Sequence, residues 1–102
     1  MIAAGALEDY AGLINYNRGE TSVTQDGYLN LVLHQPFGVV GAIIPWNVPM
    51  VMFASKVGAA VATGNTVVLK SSEKAPLTSI KLASLIKEAG FPPCVDSGAR
   101  GG

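Results

Sequence analysis

An apolar run without polar interruption, residues 39–44, stops abruptly at a turn bracketed by prolines, residues 45–49 (PWNVP). A β-branched run that lacks alternation is typical of a buried strand in a parallel sheet, covered on both faces. Residues 66–69 repeat the pattern and end on a polar segment, residues 70–73 (KSSE). Because the carboxyl ends of parallel strands lie along one edge, the sequence predicts that both polar segments meet at one ligand site.

The segments around these strands carry helical periodicity. Pro49 suits the first turn of a helix whose apolar residues recur at three- and four-residue steps as far as residues 63–64. A second helix is predicted over residues 77–89, with Gly90 at its end. The order strand, helix, strand, helix predicts an α/β fold with a right-handed parallel crossover.

The two ends of the chain differ from this centre. Residues 2–18 predict a helix, and the alternation over residues 28–35 predicts a strand that has one face more buried than the other. The dipeptide at residues 26–27 (DG) before that strand is typical of a turn. Residues 94–102 lack both periodicity and apolar character, so they predict a tail without regular structure.

The composition is unusually apolar for a chain of 102 residues. Hydrophobic residues make up 49% of it and charged residues 14%, with a mean hydropathy of +0.38. A domain of this size exposes a large share of its surface and needs polar residues to cover it. Two interpretations follow: a small domain with an apolar core, or a segment whose apolar surface is covered by missing parts of a larger protein.

Charge and cysteine content exclude several classes of function. Seven basic and seven acidic residues give a net charge of +0 without a basic cluster, which argues against nucleic-acid and membrane-surface partners. No segment predicts a secretory signal or a membrane span. The single cysteine, Cys94, excludes an intrachain disulfide and a CxxC metal site, so we expect no bound metal and a cytoplasmic protein.

Four motifs in order resemble the aldehyde dehydrogenase superfamily. They are PWNVP at residues 45–49, AVATGNT at 60–66, VVLKSSE at 67–73 and EAGFP at 88–92, and residues 10–12 (YAG) and 34–38 (HQPFG) resemble the segment just upstream. The resemblance covers roughly residues 8–93. It implies a partial NAD(P)-binding domain over residues 1–93, with a partial Rossmann-like parallel sheet (β-α-β-α) preceded by a helix and a strand of the interface region.

The resemblance also implies an activity, the NAD(P)-dependent oxidation of an aldehyde to a carboxylic acid. In the family a cysteine thiolate attacks the aldehyde, hydride passes to the cofactor, and a glutamate base assists hydrolysis of the thioester. Cys94 does not align with that cysteine, and the glutamate base has no counterpart in this chain. We therefore expect an internal piece of a longer enzyme, inactive alone. A truncated, frameshifted or misspliced reading frame would explain a non-homologous tail over residues 94–102.

Two positions match catalytic residues of the family. Asn47 matches the amide of the oxyanion hole, which donates to the alkoxide formed on attack. Its alternative is an Asx-type turn residue that caps the next helix. Lys56 matches a lysine of the proton network used in deacylation, and its alternative is an ordinary helix lysine that extends into solvent.

Five positions match the cofactor cleft of the family. Lys70 and Glu73 match the groups that bind the adenosine ribose, as donor and acceptor, and a glutamate there favours NAD, although NADP remains possible. The alternatives are a solvated lysine at a strand end and an acidic residue near a helix start. Ile44, Pro45 and Trp46 match residues that line the cleft, and Trp46 can equally be a core aromatic.

A second function from a different class stays open. The alternating residues Leu29, Leu31 and Leu33 can form an exposed strand face or edge that joins other chains. The family uses this region near its subunit contacts. The alternative to an enzyme segment is therefore a non-catalytic interaction or co-assembly module, with self-association through exposed apolar surface.

Overall fold

The computed structural model describes residues 1–92 and 96–99. A helix, α1, opens the chain and is extended by a short 3-10 turn, Ile14–Tyr16. An antiparallel hairpin follows, and then strands and helices alternate. The elements are α1 (Ile2–Leu13), β1 (Glu20–Gln25), β2 (Tyr28–Val32), β3 (Val39–Ile43), α2 (Pro49–Ala62), β4 (Thr66–Lys70), α3 (Pro76–Glu88) and β5 (Asp96–Ala99).

Strands β3, β4 and β5 form a parallel sheet in that order. The register pairs Val39 with Thr66 at one end of β3 and Ile43 with Lys70 at the other, and β4 pairs with β5 from Val67 onward. Helix α2 joins β3 to β4, as the periodicity predicts. The predicted α/β class with a partial Rossmann-like sheet is confirmed, since two neighbouring parallel strands are linked through a helix.

Strand β5 corrects the prediction for the end of the chain. Asp96–Ala99 lie within the segment for which the sequence predicts no regular structure, yet they pair in parallel with β4. A ladder is formed by backbone N–H and C=O groups, so the free edge of β4 can pair with a segment that has no apolar pattern. The rest of the predicted tail, with Cys94, lies outside the described residues.

The hairpin contains one strand that the sequence predicts and one that it misses. Strand β2 confirms the predicted strand, and Gly27, at φ +85°, lies in the predicted turn. Strand β1 has the polar sequence ETSVTQ, which carries no apolar alternation, so only its pairing with β2 reveals it. Every residue of both strands is exposed. The more buried face predicted for β2 is therefore not present in the described part of the chain.

The core lies on one face of the parallel sheet. Two right-handed crossovers in the same direction bring α2 and α3 to the same side, where they cover the sheet. The buried apolar residues are Ala42, Ile44, Phe53, Val57, Ala60, Val67 and Leu69. On the other face Val39, Ile43 and Val68 are exposed. The prediction that both faces are covered is therefore wrong for the described residues, because successive crossovers in one direction leave the second face without a helix.

Helix α1 packs on α2 rather than on the sheet. A Cβ atom at Gly58 would lie 3.0 Å from Cδ2 of Leu7 and 3.1 Å from Cδ2 of Tyr10. The absent side chain of Gly58 thus lets the two helices approach closely.

The carboxyl end of α2 is fixed by a Schellman motif. Gly64 adopts φ +82° and its N–H donates to the carbonyl of Val61 (3.0 Å), while the N–H of Asn65 donates to the carbonyl of Ala60 (3.0 Å). The helix therefore ends at the Thr63-Gly64 step that the sequence predicts.

Asn65 joins this helix end to the start of β3 and is 6% exposed. Its Oδ1 accepts from the backbone N–H of Gly38 (3.0 Å), and its Nδ2 donates to the carbonyl of Ala60 (3.1 Å) and to Oγ1 of Thr63 (2.8 Å). The bonds to Ala60 and Thr63 are local, whereas the bond from Gly38 spans 27 residues. The side chain therefore fixes where β3 begins relative to α2.

We expect Asn65→Ala to lower the free energy of unfolding by about 2 kcal/mol, because the partners of a part-buried amide lose their hydrogen bonds. Urea unfolding followed by far-UV circular dichroism measures the change. Asn30→Ala is the matched control, since the Asn30 amide makes one exposed bond, to Oγ1 of Thr24. Equal losses in the two variants would contradict the structural role of Asn65.

Candidate functional site

The carboxyl ends of β3 and β4 lie side by side. Ile43 pairs with Lys70, and one residue further on the backbone N–H of Ile44 donates to the carbonyl oxygen of Lys70 (3.1 Å). The polar segments that follow the two strands therefore begin at the same edge of the sheet. This confirms the prediction that they meet, and it defines the site that we call the strand-end site: residues 44–48 and 70–75.

The first turn of the site leaves β3 through a buried residue. Ile44 is 2% exposed and belongs to the core, whereas Pro45, Trp46 and Asn47 are all exposed. The buried Ile44 anchors the turn, and the following side chains face outward from the sheet edge. Trp46 is 59% exposed. The alternative of Trp46 as a core aromatic is therefore wrong for the described chain.

Asn47 does not cap α2. The N-cap residue of the helix is Val48, Pro49 occupies the first turn, and no side chain makes a capping hydrogen bond. The alternative of an Asx-type cap is therefore wrong. Within residues 1–92 and 96–99 no hydrogen bond engages the Asn47 amide, so its two N–H donors are free to bind a ligand.

The second turn of the site is organised by Ser72. The carbonyl of Ser72 accepts from the N–H of Ala75 (3.2 Å), and its Oγ accepts from the N–H of Lys74 (3.3 Å). These bonds define a β-turn with Glu73 and Lys74 at its central positions. Both side chains are exposed, as is that of Lys70 at the end of β4. Lys70, a hydrogen-bond donor, and Glu73, an acceptor, thus lie on one short segment.

A contact between the two turns involves a residue that sequence reasoning did not select. Nζ of Lys74 lies 5.4 Å from the centroid of the Trp46 ring, within the range of a cation–π interaction. Lys74 and Trp46 are far apart in the sequence and neither belongs to an apolar pattern. Only their positions in the two strand-end turns, one after β3 and one after β4, could have indicated the contact.

Helix orientation gives the site a positive electrostatic character. Both α2 and α3 begin at this edge, and neither has an acidic residue in its first turn or a side-chain cap. The unpaired N–H groups of a helix start carry positive partial charge. Two lysines, Lys70 and Lys74, outnumber the one acidic residue, Glu73, so the site favours an anionic ligand.

Lys56 lies outside this cluster. It is exposed on α2, about 10 Å along the helix axis from Pro49 at 1.5 Å per residue. The structure does not bring it into contact with Asn47, Lys70 or Glu73. Its exposure agrees with the alternative of a helix lysine in solvent, and its role in a proton network stays a prediction.

Within residues 1–92 and 96–99, no group of three or more His, Cys, Asp or Glu residues is arranged to hold a metal ion. In the same part of the chain, no helix has the length and apolar character needed to cross a bilayer. His34, the single histidine, is exposed.

A separate apolar groove of about 430 Å³ lies between the three helices. Its walls include Leu7 and Tyr10 of α1, Val57 of α2, and Leu82 and Ile86 of α3. None of its lining residues belongs to the strand-end site. The groove therefore adds nothing to the polar chemistry described above.

Comparison with known proteins identifies what the chain is similar to. The model of the aldehyde dehydrogenase family matches residues 1–97. An aldehyde dehydrogenase of Aspergillus niger is 50% identical over 90 residues, which is 88% of this chain and 18% of that protein. A mitochondrial aldehyde dehydrogenase of Sus scrofa is 52% identical over 89 residues, or 87% of this chain and 17% of that protein.

Solved structures show the same similarity in three dimensions. The NAD⁺ complex of an aldehyde dehydrogenase from Bacillus cereus superposes with a TM-score of 0.93 at 46% identity, over 98% of this chain and 20% of that one. An NAD-dependent aldehyde dehydrogenase from Sinorhizobium meliloti gives a TM-score of 0.93 at 42% identity, over 98% and 20%. The chain thus spans about a fifth of the length of its relatives.

Proposed function

Because the chain belongs to the aldehyde dehydrogenase family, we propose that it supplies the oxyanion donor and the ribose-binding groups of an NAD(P)-dependent enzyme that oxidises an aldehyde to a carboxylic acid. The observation that carries the proposal is the hydrogen bond from the Ile44 N–H to the Lys70 carbonyl (3.1 Å). It holds the Asn47 turn and the Lys70–Glu73 segment at one edge, as a shared site requires. Residues 1–93 then act as part of a cofactor-binding domain.

The residues of the site fit a nicotinamide dinucleotide. Lys70 and Glu73 are exposed on one short segment and can donate to and accept from adjacent ribose hydroxyls. The starts of α2 and α3 add positive partial charge that suits the phosphates. Ile44, Pro45 and Trp46 would line the cleft. When bound, the cofactor supplies the acceptor for the hydride that leaves the aldehyde carbon.

Asn47 supplies the part of the chemistry that belongs to this chain. Its side-chain N–H donates to the aldehyde oxygen, on which negative charge develops when a thiolate attacks the carbonyl carbon. The thiolate and the general base come from other parts of the enzyme. As a 102-residue polypeptide, the chain is accordingly expected to show no dehydrogenase activity.

A chimera tests the proposal directly. Residues 1–93 replace the matching segment of the Aspergillus niger relative, and NADH formation is measured at 340 nm with a panel of aldehydes. We expect aldehyde-dependent NADH formation within about tenfold of the parent enzyme. Loss of the oxyanion donor alone would lower the rate by about a hundredfold or more, so a rate within tenfold means that Asn47 fulfils this role. A folded chimera with the oligomeric state of the parent but without NAD binding would refute the proposal.

Glu73 gives a prediction on cofactor choice. Its carboxylate would repel a 2′-phosphate, and two unit charges about 4 Å apart in water interact by about 1 kcal/mol. We therefore expect Glu73→Gln in the chimera to raise the ratio of kcat/KM for NADP to that for NAD by about fivefold. Glu88→Gln, at the exposed far end of α3, is the matched control. An unchanged ratio in Glu73→Gln would remove the basis for preferring NAD.

The cellular compartment also stays a prediction. The single cysteine favours a cytoplasmic protein. One relative is, by its name, a mitochondrial enzyme. Fractionation of cells that produce the natural protein decides between the two compartments.

A non-catalytic co-assembly module is the second candidate, and one observation favours it. Leu29 and Leu31 of β2 are 61% and 58% exposed, and Leu33, just beyond the strand, is 70% exposed, so these leucines have no cover within the described chain. The partner would be a second copy of the chain, which would bury the leucines against each other. Sedimentation velocity at increasing concentration distinguishes a monomer, which contradicts self-association, from a dimer.

A further inference from the structure

The strand-end site has a connection between its two turns that the family resemblance did not indicate. Nζ of Lys74 lies 5.4 Å from the centroid of the Trp46 ring. Lys74 is a central residue of the Ser72–Ala75 turn, and Trp46 immediately precedes Asn47. One side-chain contact therefore joins the segment that contains Lys70 and Glu73 to the segment that contains the oxyanion donor.

The β3–α2 turn has little else to hold it. Trp46 is 59% exposed, so core packing within the described residues does not fix its ring. Helix α2 starts without a side-chain cap, and among the described residues no hydrogen bond holds the Asn47 amide. The buried Ile44 and the rigid rings of Pro45 and Pro49 limit the turn near its ends but leave Trp46 and Asn47 between them.

The β4–α3 turn, by contrast, is fixed from within. The carbonyl of Ser72 accepts from the N–H of Ala75, and Oγ of Ser72 accepts from the N–H of Lys74 itself. One bond from the Lys74 N–H and one from the neighbouring Ala75 N–H, both to Ser72, therefore fix the turn around Lys74. A residue with a fixed backbone and a long flexible side chain is suited to hold a neighbouring ring in place.

We propose that Lys74 is a positioning residue, which holds the Trp46 ring and thereby sets the place of Asn47 relative to the ribose-binding segment. Its importance for catalysis rests on the proposed function, whereas the contact itself does not. The face of an indole ring attracts a cation, and either lysine or arginine can supply it. Lys74 acts through Trp46 and does not contact the reacting atoms.

The single tryptophan of the chain makes the proposal testable without cofactor. Time-resolved fluorescence anisotropy of Trp46 separates an indole held in place from one that rotates freely. We expect Lys74→Met to lower the ratio of held to free indole by about two- to fivefold, and Lys74→Arg to restore it. Lys81→Met, which removes an exposed lysine of α3, should leave the ratio unchanged.

The outcomes separate this inference from the proposed function. An indole that rotates freely in the unchanged chain, an unaffected Lys74→Met ratio, or a failure of Lys74→Arg to restore it would each overturn the positioning role. Far-UV circular dichroism of every variant shows whether the helices persist, so a loss caused by unfolding is recognised. Since no NAD is present, failure of cofactor binding leaves these measurements intact and affects only the proposed function.

Discussion

Asn47→Ala in the full-length chimera should lower kcat by a hundredfold or more. The Asn47 side chain is exposed and without a hydrogen-bond partner among the described residues, and it does not cap α2. Its donors are therefore available to the oxygen of the aldehyde, where charge develops during attack. A donor aimed at that charge stabilises the transition state more than the ground state, so the loss should fall on kcat rather than on the KM for the aldehyde.

The stability of the chimera should be nearly unaffected by the same change. Substitution of an exposed residue that makes no recorded contact usually alters the free energy of unfolding by less than about 0.5 kcal/mol. Asn47→Asp keeps the size of the side chain but puts an acceptor where a donor is needed, and it should be at least as inactive. Asn30→Ala, in the exposed hairpin, serves as the control with normal activity. A normal kcat in folded Asn47→Ala would eliminate the oxyanion role.

Phe53→Ala should cause the largest loss of stability. Phe53 is 3% exposed and lies in the core where α2 meets the sheet. Truncation of a buried phenylalanine costs about 3–5 kcal/mol, because apolar contacts are lost and a cavity remains. Native domains have a total stability of only about 5–15 kcal/mol, so a loss of this size is a large fraction of the whole.

Phe37→Ala is the matched control for that prediction. Phe37 is 95% exposed, in the segment between β2 and β3, and its truncation removes no buried surface. Urea unfolding followed by far-UV circular dichroism should give a midpoint close to that of the unchanged chain for Phe37→Ala and a much lower one for Phe53→Ala. Similar midpoints for the two variants would mean that the core around α2 is not what stabilises the fold.

The sequence predicts the centre of this fold well because local signals there agree with each other. Glycines end both α2 and α3, and their positive φ angles of +82° at Gly64 and +90° at Gly90 explain why. The apolar runs identify β3 and β4, and a parallel pairing then follows from the helix between them. The meeting of the two polar segments at one edge is a consequence of that topology.

The features that the sequence does not predict depend on contacts between distant parts of the chain. Strand β5 depends on backbone pairing with a free strand edge, which requires no side-chain pattern. Strand β1 is polar on both faces and exists through its pairing with β2. An apolar run such as β3 predicts burial but not which elements cover it, so the open second face was not foreseeable. The side chain of Lys74 meets Trp46 only after the crossover has placed both turns at one edge.

The proposed function requires that the strand-end site recognises the adenosine end of a nicotinamide dinucleotide. The most direct test is a heteronuclear NMR spectrum of the purified chain, recorded with and without millimolar NAD. We expect dispersed peaks, with NAD-dependent shifts confined to the Trp46 indole, Asn47, Lys70 and Glu73. A dispersed spectrum in which NAD moves none of these signals, or moves only those of the β1–β2 hairpin, would contradict it.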